Sequence, residues 1–192
     1  MGLTLPSPGI EVLLLIVVLA AAVYDVRYRR IPNWISVGGI ALGVLSNSLR
    51  FGIPGLLFAL AGFVLAFGLY FLLYVIHAMG AGDVKLMGAI GALVGWKNWI
   101  AIFVIAAIVG GIMAMIVIVA RSRVKKTFWN IGYLLNEMRR GRAAYVTREE
   151  LDVKSPESAG LPHGAVIAVA TMFYLALAAH FMPAIADGFV QF

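Results

Sequence analysis

Apolar residues run through this chain in six long blocks, and the polar residues gather in the breaks between them. The blocks extend from about Ile10 to Tyr24, Ile31 to Leu49, Gly55 to His77, Asp83 to Trp96, Trp99 to Ala120 and Leu161 to Met182. Short polar or Gly-rich turns separate most of them, at Asp25–Arg30, Arg50–Pro54, 78–82 and Lys97–Asn98, and one hydrophilic stretch covers 121–160. Blocks of this length and apolarity read as membrane-spanning helices. The pattern predicts an all-α membrane protein, a polytopic bundle of six transmembrane helices. It forms one membrane-embedded domain over residues 1–192, with a cytoplasmic loop at 121–160.

Composition agrees. The chain is 62% hydrophobic and 12% charged, about half the charged share of an ordinary soluble domain. With no cysteine, disulfides, thiolate metal sites and a Cys nucleophile are excluded. The first block has no basic segment before it and no small-residue cleavage site, so it reads as a retained span. The net charge of +6 sets topology and does not imply nucleic acid as a partner. The face holding residues 25–33, 78–85 and 121–160 carries thirteen of the fifteen Lys and Arg residues; Arg50 and Lys97 lie on the other face. By the positive-inside rule the richer face is cytoplasmic, which places both termini outside.

The fourth block has about 14 residues, or roughly 21 Å of helix against a hydrocarbon core of ~30 Å. Either the bilayer thins there or the Gly80–Gly82 hairpin dips below the headgroups. Gly80 and Gly82 read as positions that use glycine's access to positive φ for a tight turn. Gly88, Gly91, Ala92 and Gly95 give this block a small-residue face for close helix packing, and Gly62 and Gly110–Gly111 read likewise. In the long loop, Val124, Phe128, Ile131, Leu135 and Met138 recur at helical spacing between basic clusters, which predicts a cytoplasmic amphipathic helix. Thr147-Arg148-Glu149-Glu150 fits a capping box.

The acidic residues narrow the chemistry. Of nine, five lie in the long loop and Glu11 and Asp187 sit at the outer edge. Asp25 closes the first block and Asp83 opens the fourth, both on the cytoplasmic side and at similar depth. An ionisable residue at a membrane helix end points to function. Two carboxyls sharing a site do not both ionise cheaply, so one holds a proton while the other is charged. That pairing suits an aspartic peptidase, in which one carboxylate draws a proton from water and the other carboxyl protonates the scissile carbonyl. Read singly, Asp25 suits an interfacial pair with Arg27 or Arg29, and Asp83 suits a helix N-terminus. His77, His163 and His180 are scattered and make no ligand pair, so neither metal nor cofactor is expected.

Asp25, then Ile31-Pro32-Asn33, then Gly80-x-Gly82-Asp83-Val84-Lys85 before a Gly-rich span, resembles the type IV prepilin peptidases, membrane aspartic peptidases of the Gly-x-Gly-Asp type. Leu161-Pro162-His163-Gly164 looks like the Pro-x-Gly element at the head of that family's last span. The resemblance implies Asp25 and Asp83 as the catalytic pair, with Gly80, Gly82, Lys85, Pro32 and Asn33 as supporting motif residues. It implies small pilins as substrates, each with a basic leader, a Gly at the cleavage point and then an apolar helix. The lipid bilayer and pilus assembly machinery are the other partners it implies. Larger members add a cytoplasmic domain with paired Cys motifs and N-methylate the new N-terminus. Here eight residues separate Asp25 from Trp34, so peptidase activity without methyl transfer is expected, similar to the compact peptidases of tight-adherence (Tad/Flp) pili or the archaeal preflagellin peptidases. A presenilin-like protease and a proton-coupled transporter using Asp25 and Asp83 are the competing readings.

Overall fold

The computed structural model describes residues 6–120, 129 and 162–189. The described residues form four long helices: α1 (Pro8–Tyr28), α2 (Asn33–Val75), α3 (Ala81–Ala120) and α4 (His163–Phe189). All four are long and apolar enough to cross a membrane. The expected loop helix and the Thr147–Glu150 capping box lie outside the described residues.

Local chemistry sets the ends. α1 starts with Pro8 in its first turn, where a missing N–H costs nothing. It ends at Arg29 in the left-handed region (φ 53°), whose N–H donates to the Asp25 carbonyl. Hydropathy ends this span near Tyr24, but the helix continues four residues further. Hydropathy senses the edge of the hydrocarbon, whereas a helix satisfies its own backbone on either side of that edge. Asp25 therefore lies in the last turn of α1 and not in a loop. α4 likewise runs past Met182 to Phe189.

α2 and α3 are each too long to be single straight spans. Gly43 and Gly62 would stand about 28 Å apart along a straight helix. Both nevertheless press on one turn of α3. A Cβ at Gly43 would lie 2.8 Å from the Ala92 carbonyl carbon, and one at Gly62 would overlap the Gly91 carbonyl. α2 must fold back between them, and its one non-helical residue is Gly52 (φ 61°, ψ −140°), two before Pro54. α3 folds back in the same way. Asp83, at its start, lies within electrostatic range of His163 at the head of α4. Gly110, about 40 Å further along a straight helix, has Val166 of the same turn of α4 at van der Waals distance. The reversal is at Gly95 (φ 73°, ψ 171°). The sequence places this turn at Lys97–Asn98. Those residues are already helical, and Asn98 is buried with its amide donating to the Val94 carbonyl. Only glycine tolerates positive φ with extended ψ, which is why the breaks fall at Gly52 and Gly95.

The first limb of α3 is the axis of the bundle. Every residue from Leu86 to Gly95 is buried, so this limb has neighbours on all sides. The small-residue expectation holds for Gly88, against Phe63 and Phe67, for Gly91, against Gly62 and Ala66, and for Gly95, against Phe58. Among the described residues it does not extend to Gly110–Gly111: an added Cβ at Gly110 would make an ordinary contact and one at Gly111 would meet nothing. Asn47 ties the first limb of α2 to this axis. Its amide donates to the Gly43, Ala92 and Leu93 carbonyls at 2.9, 3.1 and 3.2 Å. α1 shows how the outside differs. Val12, Ile16, Leu19 and Val23 are exposed, while Ile10, Leu14, Val17, Ala21 and Asp25 are buried. Its two faces are equally apolar above Asp25, as expected where lipid is the solvent.

Replacing Gly62 by Leu forces a side chain into the Gly91 backbone, which cannot yield as a flexible side chain would. We expect the detergent-solubilised protein to lose about 3 kcal/mol or more of stability, read as a fall in thermal unfolding temperature. Gly68→Leu, where no described residue lies within 4 Å of an added Cβ, should be no less stable than the parent; equal losses in the two variants would show that the close approach to Gly91 is not what the Gly62 substitution disturbs.

Candidate active site

Four chain segments meet at one end of the bundle. The last turn of α1 brings Asp25, the first turn of α3 brings Asp83, the first turn of α4 brings His163 and Gly164, and the α1–α2 link brings Ile31 and Pro32. Helix ends are where backbone groups lack helical partners, so each carboxyl finds an N–H. Asp25 is 9% exposed, and its Oδ2 accepts from the Gly164 N–H at 2.7 Å. That bond uses an N–H of the first turn of α4 and sets Asp25 at the positive end of the α4 dipole. Gly164 must be glycine for the approach: a Cβ there would lie 3.0 Å from Asp25 Cβ and 3.1 Å from its Oδ2. Asp83 Oδ2 accepts from Gly80 N–H at 3.3 Å, a local bond that closes the turn entering α3.

The two aspartates stand at the same end of the bundle. Asp83 lies within electrostatic range of both Asp25 and His163. Tyr70, buried on the second limb of α2, is within range of Asp83 as well. Its ring stands edge-on to Trp99 and Phe103 at centroid distances of 6.4 and 6.0 Å.

The supporting residues take definite places. Lys85 Nζ donates to Asn33 Oδ1 at 2.9 Å, joining the N-terminal part of α3 to the first residue of α2. Pro32 caps α2 with an extended backbone (φ −62°, ψ 141°). Gly80 and Gly82 do not have positive φ, contrary to expectation; the left-handed residue of this turn is His77 (φ 60°). Gly82 is instead in the first turn of α3, and what it needs is room, since a Cβ would lie 3.2 Å from the Cβ of Ile31. Beside Asp25 an open groove of about 430 Å³ is lined by Tyr24, Tyr28, Arg30, Ile31, Pro32 and Asn33. Tyr24 also packs edge-on against Trp34 at 5.9 Å.

Sequence reasoning quoted Ile31 and His163-Gly164 only as motif residues and gave them no place in the site, and it missed Tyr70 altogether. A signal for Gly164 was present, because the Pro-x-Gly element opens the last span on the same side as both aspartates. Nothing in the sequence marks Tyr70 among the aromatics of α2. Among the described residues no group of three or more His, Asp or Glu side chains could hold a metal ion.

The Gly164–Asp25 bond has a spectroscopic test. In micelles the Gly164 amide proton should resonate well downfield of neighbouring helical amides, and Asp25→Ala should move it upfield by far more than it moves Ala168. A Gly164 resonance indifferent to that substitution would show that the bond does not form in solution.

Comparison with known proteins places this geometry in context. The model of the type IV leader peptidase family matches residues 12–115, which hold both aspartates. The chain is 29% identical over 109 residues to a prepilin leader peptidase/N-methyltransferase of Xanthomonas campestris pv. campestris, covering 54% of this chain and 38% of that protein. It is 28% identical over 127 residues to a protein of the same description from Aeromonas hydrophila, covering 60% and 43%. The chain thus spans about two fifths of the length of these curated relatives. No solved structure matches it.

Proposed function

The chain belongs to the type IV leader peptidase family, and on that premise we propose that it is an aspartic endopeptidase with Asp25 and Asp83 as its reacting pair. The observation that carries this reading is that the two carboxyls stand at one end of the bundle within electrostatic range of each other, from helices far apart in sequence. One ionised carboxylate takes a proton from a water held between the pair. The resulting hydroxide oxygen bonds to the scissile carbonyl carbon while the protonated carboxyl gives its proton to the carbonyl oxygen. The tetrahedral species then collapses: the C–N bond breaks, the departing nitrogen takes up a proton, and the new carboxyl leaves. The pair shares its protons as a unit, so neither residue is given a fixed role.

The substrate we propose is a small prepilin-like protein whose basic leader stays in the cytoplasm while an apolar helix spans the bilayer. Its scissile bond, after a Gly, would lie at the boundary where helix ends give way to water. Flp-like prepilins suit the short connection here, with eight residues between Asp25 and Trp34 and only residues 29–32 outside the helices. The same shortness limits the reading to proteolysis, without N-methyl transfer. The proposed topology in the cytoplasmic membrane counts the two limbs of α2 and of α3 separately. That gives six spans with both termini outside and the aspartates at the cytoplasmic face, supported by the basic residues clustered there.

Asp25→Asn and Asp83→Asn should each abolish leader removal, by at least about a hundredfold for loss of acid–base catalysis, while the protein still inserts. The measurement is co-expression with small basic-leader prepilins from the same genome, scoring leader loss by mass spectrometry. Near-normal cleavage by either variant would make that residue structural.

Topology has its own test. A reporter fused after Phe192 should read as external and one inserted near Ala143 as cytoplasmic; the reverse pattern would put the aspartates on the wrong side for a substrate with a cytoplasmic leader.

A further inference from the structure

Ile31 occupies an unusual position. It lies in the four-residue non-helical link between α1 and α2, residues 29–32, yet its side chain reaches two other helices at once. A Cβ on Gly82 would lie 3.2 Å from Ile31 Cβ, 3.5 Å from its Cγ1 and 3.6 Å from its Cδ1; a Cβ on Gly164 would lie 3.1 Å from Ile31 Cδ1. Gly82 is the chain neighbour of Asp83, and Gly164 is the residue whose N–H holds Asp25. One isoleucine therefore stands between the backbone turn that carries one aspartate and the turn that fixes the other.

We propose that Ile31 is a positioning residue, a rigid spacer that sets the separation of Asp25 and Asp83. The inference rests on those two residues being the reacting pair. Three features make the spacer stiff. Its side chain is β-branched, so χ1 has little freedom. Pro32 follows it and narrows its own backbone to extended conformations. The segment is then pinned from the far side, because Asn33 accepts from Lys85 Nζ on α3 at 2.9 Å. Both glycines belong to the same device: each lacks a side chain where the spacer's atoms sit. A smaller residue at 31 lets the two turns approach or drift, and a larger one at 82 pushes them apart.

The contacts are unequal, which makes the proposal testable. Ile31→Val keeps the Cβ and Cγ1 that lie nearest Gly82 and removes the Cδ1 that reaches both glycines; Ile31→Ala keeps only the Cβ. Since a misplacement of about 1 Å can cost roughly a hundredfold in a positioned site, kcat for prepilin cleavage should fall about threefold in Ile31→Val and tenfold or more in Ile31→Ala. KM should stay within about twofold. Ile31 also lines the groove beside Asp25, so a rise in KM with kcat unchanged would make it a substrate contact and overturn the proposal. Gly82→Ala acts on the same gap, so in a double-mutant cycle with Ile31→Ala the two effects should fail to multiply by more than about twofold, the limit for independent sites. Effects that multiply would overturn it too.

A readout that needs no turnover separates this inference from the function it rests on. The cysteine-free chain accepts nitroxide labels at Val26→Cys and Ala81→Cys, both exposed positions close to the aspartates. In lipid nanodiscs Ile31→Ala should shift or broaden the distance distribution between the labels. Leu49→Ala, at an exposed site in the other end region, should leave it unchanged. A distribution unaltered by Ile31→Ala sinks the spacer whatever the activity assays give. A changed distribution together with active Asp25→Asn and Asp83→Asn variants would keep the geometry and discard the reacting pair.

Discussion

The close backbone approach of Gly62 and Gly91 is the contact on which the rest of this structure depends. In lipid, leucine gains little by leaving one apolar environment for another, so helices associate through dispersion and carbonyl contacts that only small residues permit. Here the glycines bring the second limb of α2 against the first limb of α3, while Gly43 and the two Asn47 bonds to the Ala92 and Leu93 carbonyls bring the first limb of α2 to the same turn. With α3 caught between both limbs, its N-terminal turn is fixed in depth and rotation. Asp83 is carried by that turn, so the geometry of the acid end is set by packing some two turns or more deeper in the bundle.

The other half of the cluster comes from a different solution to the same shortage of driving force. α1 has no glycine seam like that between α2 and α3. At its Asp25 end it instead joins α4 through the Asp25–Gly164 bond. A buried carboxyl and an N–H without a helical partner each lose by standing alone. The bond resolves both, and it does so at the place where the proposed chemistry needs a carboxyl held still.

Much of this could be read from the sequence, for identifiable reasons. Hydrophobic blocks give spans, because a bilayer demands continuous apolar length. The two aspartates stand out because a charge at a membrane helix end is costly, and Gly80-x-Gly82-Asp83 and Ile31-Pro32-Asn33 gave them a family context. Helix boundaries were less legible, since hydropathy reports the hydrocarbon edge while α1 and α4 continue beyond it. The role of Gly82 was misread because a glycine in sequence does not say whether it supplies φ or space. At Gly52 and Gly95 it supplies φ; at Gly82, Gly91 and Gly164 it supplies space. Gly164, Ile31 and Tyr70 were not legible as partners of the site, because their roles arise only when α2, α3 and α4 are brought to one end.

That division between two uses of glycine explains how so small a bundle combines folding back with a defined site. The φ glycines at Gly52 and Gly95 lie at the breaks of α2 and α3, on the far side of the packed seam from the aspartates. The space glycines line the seam and the acid end, where helical backbone is kept and only the side chain is surrendered. A helix turn is a stiffer mount than a loop in positive φ, so Gly82 and Gly164 allow close approach to Ile31 and Asp25 without loosening the turns that carry the acid groups. The reversals can bend or tilt at a distance from the pair, whereas the elements that touch it are short, helical and wedged. On that arrangement the aspartates stand at the helix ends while their separation is governed by van der Waals contact, the least yielding of the forces available in a membrane protein.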